Sequence, residues 1–210
     1  GSVNFSPGWH QRGREKPGDP LLPSTLMRDR DIQGVFSNFH RSTTLVNAIY
    51  AVTQPGHYEG AKMAMVHVRK HFKLNHPEYI SVSESWSSVF TGLTLVSNRV
   101  TVPHLDKKGL TSGYDLLVSA GTHRKAVLKV QNLGAKIAYG PSTMVELCGS
   151  FLIHEVEDWE GGERLCFAHY LCDSVFEVAR VADPGFLQQR LYLECMDGRF
   201  VEENYPRYMW

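Results

Sequence analysis

Between Val89 and Val178 the chain breaks into short β-rich runs, SVFTGLTLVSNRVTV, YDLLVSAG, KAVLKV, AKIAYG, STMVELCG, FLIHEVE and RLCFAHYLC, each cut from the next by Gly, Asn, Pro or Asp. No helical pattern separates them, so the segment predicts an antiparallel sandwich or barrel. Upstream the pattern changes. STTLVNAIYAVTQ at 42–54 opens with Ser and Thr as N-cap candidates, and PGHYEGAKMAMVHVRKHF repeats Ala, Met and Val at helical intervals. Two helices follow, in a layer over about 40–75 beside a β core over about 86–180. Residues 1–25 carry four of the ten prolines and read as an extended arm, with Gly1-Ser2 resembling a cloning scar. The tail at 181–210 is expected to hold one short helix after Asp183. There is no internal repeat.

The 210 residues, 42% of them hydrophobic, suffice for one domain, placed at 26–210. No apolar run approaches the roughly 20 residues of a membrane span, and no signal peptide opens the chain, so a soluble intracellular protein is expected. Cys148, Cys166, Cys172 and Cys195 have neither zinc-knuckle spacing nor the density of a disulfide scaffold, which predicts reduced thiols. With 22 basic and 22 acidic residues the formal charge is zero, so a polyanion would have to be held by a local patch.

Chemistry concentrates where an apolar strand runs into a charged loop, in NRVTVPHLDKKG at 98–109. Residues two apart in an extended segment point to one side, so His104 and Asp106 can converge. In ELCGSFLIHEVEDW a second histidine, His154, shares a strand face with Leu152 and Val156. A lone histidine there would ordinarily be a core residue. Two histidines and one carboxylate, however, form the donor set of mononuclear non-haem Fe(II) oxygenases, which leaves positions open for a 2-oxoacid and O2. Arg164, ten residues beyond His154, offers a planar fork for a distal carboxylate, with Cys166 facing the same interior. Two adjacent antiparallel strands joined by DWEGGE are expected to bring Arg164 near His154 across one sheet.

The order H-x-D, about five strands, a distal His and an Arg ten positions later resembles the double-stranded β-helix Fe(II)/2-oxoglutarate dioxygenases. More narrowly, FTGLTLVSNRVTVPHLD, YDLLVSAG, LGAKIAYGPSTMVELCGSFLIHEV and GERLCFAHYL are similar to fungal TET/JBP oxygenases, which include nucleobase-oxidising enzymes. The resemblance implies an α+β fold, a jelly-roll, cupin-like core with the N-terminal helices packed on one side. It also implies Fe(II) at His104, Asp106 and His154, 2-oxoglutarate at Arg164 and Cys166, and oxidation of a methyl group with release of succinate. The chain departs from the fungal pattern at Leu105, in place of Arg, and at Glu155, in place of Gly, which would set a carboxylate near the site mouth.

If the methyl group belongs to a base in duplex DNA, that base must leave the stack and enter the pocket. Asn98, Arg99, Tyr114, Asp115 and Trp159 are candidate base contacts, and Lys107-Lys108, HQRGREK at 10–16 and VRKHFKLNH at 68–76 are candidate phosphate contacts. Each also has a structural reading: Asn98-Arg99 closing a turn, Tyr114-Asp115 starting a strand, Trp159 capping the barrel, and the basic clusters as ordinary surface. Three function classes follow. One is a monomeric, nuclear oxygenase of 5-methylcytosine or N6-methyladenine in DNA, with RNA as the other polymer, acting in DNA demethylation. The others are a 2-oxoglutarate hydroxylase of a protein or small molecule, and a β-helix binding protein without turnover.

Overall fold

The computed structural model describes residues 1–10, 18–186, 188 and 193. The chain divides into two compact units, Gly1–Phe5 with Gly92–Asp173, and Ser6–Thr91 with Ser174–Trp210.

In the first unit each β-rich run of the sequence becomes a strand: β1 (Ser2–Phe5), β2 (Gly92–Ser97), β3 (Thr101–His104), β4 (Asp115–Gly121), β5 (Val127–Val130), β6 (Ala135–Ala138), β7 (Met144–Leu147), β8 (His154–Val156) and β9 (Arg164–Tyr170). They build two antiparallel sheets, ordered β1-β2-β9-β4-β7 and β3-β8-β5-β6. Apart from the β1–β2 and β5–β6 pairs, neighbours in sequence lie in different sheets, as in a jelly roll. Four strands, β4 to β7, separate the two histidines. The sheets meet through alternate residues: Leu117, Leu147 and Cys166 from one and Leu128 and Val156 from the other form a single apolar cluster with Ala126 and Tyr139. Truncating Leu128, wholly inside that cluster, to Ala should cost about 2–5 kcal/mol. At the end of β4, Gly121 has φ +110° and its Cα abuts the Glu163 carbonyl, so a side chain there would be blocked by both backbone and neighbour. Part of the N-terminal arm is a strand: β1 runs along β2 from Ser2 opposite Val96 to Phe5 opposite Leu93.

The second unit is helical, with α1 (Arg30–Asn38), α2 (His40–Thr53), α3 (Pro55–Asn75), α4 (Ile80–Ser85) and most of α5 (Asp173–Ala179). Pro55 starts α3 at a position where its missing N–H has no intrahelical partner to lose. Buried Ala61, Ala64, Val68 and Phe72 form the inward stripe of α3, and the rings of Tyr50 and Phe90 pack at 4.5 Å. The two helices read from the sequence are α2 and α3. Helix α1 lies outside the two expected helices although its Ile32, Val35 and Phe36 recur at helical spacing, and it is N-capped by Asp29, whose carboxylate accepts from the Asp31 N–H at 2.8 Å. Helix α4, ISVSES, is made of poor helix formers, and its burial overrides their preference. The helix expected after Asp183 falls largely outside the described residues, as does Cys195, and Pro184–Phe186 are not helical. Among the described residues no helix is long and apolar enough to cross a membrane.

Candidate metal centre

His104 ends β3 and His154 begins β8, and the two are direct partners across the antiparallel pair. Cross-strand partners project from the same face, which sets the imidazole centroids 4.2 Å apart. Asp106 lies beyond the end of β3. The turn before β8 fixes it there, because the Asp106 N–H donates to the Gly149 carbonyl at 2.8 Å. The two-residue spacing of His104 and Asp106 thus matters less than the pairing that brings in His154. Asp106 Oδ1 is 3.7 Å from His104 Nε2, and its Oδ2 is 3.5 Å from His154 Nε2. All three ligand atoms lie within 4.8 Å of one another.

Each imidazole is oriented by its own strand. Nδ1–H of His104 donates to the Val102 carbonyl at 2.8 Å, and Nδ1–H of His154 to the Leu152 carbonyl at 2.9 Å. A carbonyl can only accept, so each Nδ1 donates, which turns each Nε2 toward Asp106. Burial works against protonation of His154, but the Asp106 carboxylate and the Leu152 carbonyl outweigh it and raise its pKa. Two borderline nitrogens and one hard oxygen, converging on one point, fit a divalent iron-type ion at bond lengths near 2 Å.

Asp115, the first residue of β4, lies against this centre and is 6% exposed. Burial first, and the charge of Asp106 second, push its pKa up to about 8. Both carboxylates press on Gly149: a Cβ there would overlap Asp115 Oδ2 and sit 2.8 Å from Asp106 Oδ2. Gly149 is therefore part of the site, and nothing in its sequence context announces it.

Arg164, 2% exposed, is a buried cation. Its Nη1 donates to the Arg99 carbonyl at 3.0 Å and its Nε has no hydrogen-bond partner. Its guanidinium carbon lies 5.7 Å from the Tyr139 ring centroid and 5.6 Å from that of Trp159. Among the described residues no carboxylate pairs with it. A buried guanidinium walled by aromatics, with a donor left over, fits the far carboxylate of a dicarboxylic cosubstrate. Cys166, on the same face of β9, sets Sγ 3.3 Å from the Tyr139 hydroxyl, and burial raises both their pKa values. Sequence reading missed Tyr139, because a tyrosine ending a strand carries no signal of its partner 27 residues away.

The route by which Arg164 reaches this place differs from the one expected. β8 and β9 are not neighbours in one sheet: β8 pairs with β3 and β5, and β9 with β2 and β4. DWEGGE crosses between sheets, and Arg164 projects from the sheet that faces the histidines. Glu155 is the second correction. Strand alternation turns it away from the face that carries His154, and its Oε1 accepts from Gln131 Nε2 at 3.1 Å.

The candidate base contacts scatter. Asn98, at φ +45°, exchanges two hydrogen bonds with the backbone of Arg164, both 2.8 Å, and so anchors the start of β9. Arg99 is exposed, with Nη1 donating to the Ser2 hydroxyl. Trp159 covers Arg164 and donates from Nε1 to the Gly162 carbonyl. Tyr114 is half-buried beside Asp115. Lys107 and Lys108 are exposed in the turn after Asp106. The basic stretch at 68–76 lies on α3, in the helical unit, and all of 10–16 but His10 lies outside the described residues.

Residues 9–173 match the family Tet_JBP, described as the oxygenase domain of the 2OGFeDO superfamily. A comparison with curated proteins found no match. Among solved structures, one described as NgTET1 in complex with 5mC DNA superposes with a TM-score of 0.60 at 11% identity, covering 94% of this chain and 69% of that one. A cupin 2 conserved barrel domain protein from Salinispora arenicola CNS-205 gives a TM-score of 0.32 at 12% identity over 42% of this chain and 69% of its own, too low to carry weight.

Proposed function

The chain belongs to the Tet/JBP family of Fe(II)/2-oxoglutarate oxygenases, and we propose that its substrate is a methylated nucleobase in DNA. His104, Asp106 and His154 would hold Fe(II), and Arg164 the distal carboxylate of 2-oxoglutarate. With both bound, the centre supplies oxidation of a C–H bond coupled to decarboxylation of the cosubstrate. The chain contributes position: the Val102 and Leu152 carbonyls aim the imidazoles, and Tyr139 and Trp159 exclude water from the Arg164 guanidinium. Asp115 stays buried behind Asp106 and keeps solvent off that side of the carboxylate.

The observation that carries the nucleobase reading is the openness of the triad beside exposed cations. His104 and Asp106 side chains are 34% and 46% exposed, and Lys107 and Lys108 follow directly. A base swung out of a duplex can reach such a rim while the adjoining phosphates meet the lysines. The likeness in fold to NgTET1, whose structure holds 5mC DNA, supports the same reading. Oxidation of the methyl group would begin its removal from DNA, with the nucleus as the place of action. Zero formal charge favours the competing reading, a hydroxylase of a protein or small molecule.

Mass spectrometry of methylated oligonucleotides incubated with protein, Fe(II) and 2-oxoglutarate separates the two. A gain of about one oxygen atom on 5-methylcytosine, or loss of the methyl group as formaldehyde from N6-methyladenine, supports the nucleobase reading. Succinate release indifferent to methylated DNA, with no oxidised base, would transfer the assignment to the hydroxylase.

A further inference from the structure

The turn between β7 and β8, which is hydrogen-bonded to Asp106, carries a largely exposed phenylalanine. Phe151 is 64% exposed, three residues before His154 and two after Gly149, whose carbonyl fixes Asp106. The turn is not a loose loop. The Phe151 and Leu152 N–H groups donate to the Cys148 carbonyl at 3.1 and 2.9 Å, closing it on itself. Ser150 Oγ donates to the Thr111 carbonyl at 2.8 Å, and the Ile153 N–H donates to Asn132 Oδ1 at 2.6 Å. The backbone that positions two metal ligands therefore also presents an aromatic ring to solvent. Such a ring forgoes burial that folding ordinarily rewards.

On the nucleobase reading, a base that leaves the duplex opens a hole in the stack and leaves its partner base unpaired. An aromatic side chain inserted into that hole restores stacking on both sides. We infer that Phe151 is this insert: it enters the base stack as the target base turns toward His104 and Asp106, and so assists flipping from duplex DNA. The inference rests on the nucleobase reading and adds the residue that selects duplex over single strand. Lys107 and Lys108, exposed in the turn directly after Asp106, would hold the phosphates while Phe151 fills the gap. A single strand has no hole to fill, and there Phe151 should contribute nothing.

Wild type, Phe151→Ala and Phe151→Trp are compared on one methylated strand, presented alone or annealed to its complement. Oxidised base is measured by mass spectrometry. In parallel, a duplex with 2-aminopurine at the target position reports flipping by its fluorescence, independently of turnover. Because the side chain is mostly exposed, its truncation should leave the fold intact. Expected for Phe151→Ala is a loss of roughly 5- to 150-fold in kcat/KM on the duplex, the worth of one base–aromatic stack, with the single-strand rate unchanged and a smaller fluorescence rise. Phe151→Trp should keep wild-type behaviour on both. An equal loss on duplex and single strand, or no loss on either, overturns the insertion while leaving the nucleobase reading in place. Wild type that oxidises only the single strand also overturns it, and wild type that oxidises neither overturns the reading and the insertion together.

Discussion

Arg164 is the residue whose chemistry differs most from its surroundings. A buried guanidinium for which the described residues supply no anion is a cost in the ligand-free protein, and replacing a charge of this kind with an apolar side chain of similar length is often neutral or stabilising. Arg164→Met should therefore unfold at the same temperature as wild type or higher without cosubstrate. It should also lose the stabilisation that 2-oxoglutarate gives wild type, about 2.7 kcal/mol at one hundred times Kd. Thermal melts with and without 2-oxoglutarate check both, and a variant that melts lower yet still responds to cosubstrate would count against the role. His169, buried in β9, makes a prediction about pH. Burial lowers its pKa to about 4 from the ordinary 6.5, so between those values the unfolded chain binds a proton that the folded one refuses. Stability from this source is complete above about pH 6.5 and is lost as pH falls toward 4, by at most about 3 kcal/mol. Denaturant titrations of wild type and His169→Gln should diverge over that window, and parallel curves would remove His169 from the account.

At the scale of elements, the site depends on how three connections leave their strands. β3 ends at His104, the turn at Gly149 touches Asp106, and β9 begins under Asn98. Gly149→Ala would drive a methyl group into the Asp115 and Asp106 carboxylates. Disturbing the groups that orient metal ligands typically costs 10- to 100-fold in metal affinity, and a loss of about that size is expected here. Gly140→Ala, where a Cβ meets nothing within 4 Å, is the control and should bind metal as wild type does. Anaerobic calorimetry with Fe(II) reads both. Equal affinity in the two variants would mean that the turn yields without moving the ligand.

For the whole molecule, a chain of zero formal charge would have to hold DNA through local cations rather than through its overall field. Replacing Lys107 and Lys108 together by Ala should weaken duplex binding and flatten its dependence on salt by roughly one unit of slope for each phosphate that is no longer neutralised. 2-Oxoglutarate binding should be unaffected. Fluorescence anisotropy across a salt series measures the slope, and an unchanged slope would move the DNA path away from this turn.

The type of fold was legible in the chain itself, and so were the candidate ligands that the structure brings together, because both are carried by local pattern. Short β-rich runs without intervening helices leave few architectures open, and His104, Asp106, His154 and Arg164 are recognisable by residue type and order. Helices α2 and α3 show in a 3.6-residue period for the same reason. What surrounds those residues is a matter of long-range placement, which local pattern does not encode. Arg164 lies in the sheet facing that of the histidines rather than on a neighbouring strand, because β8 and β9 belong to different sheets. Tyr139 closes over it from 25 residues before, Asp115 is buried against Asp106, and Glu155 turns to the opposite face by strand alternation alone. Only the folded packing of β4, β8 and the turn at Gly149 makes one site of them, since a side chain's burial and partners are fixed by residues far along the chain.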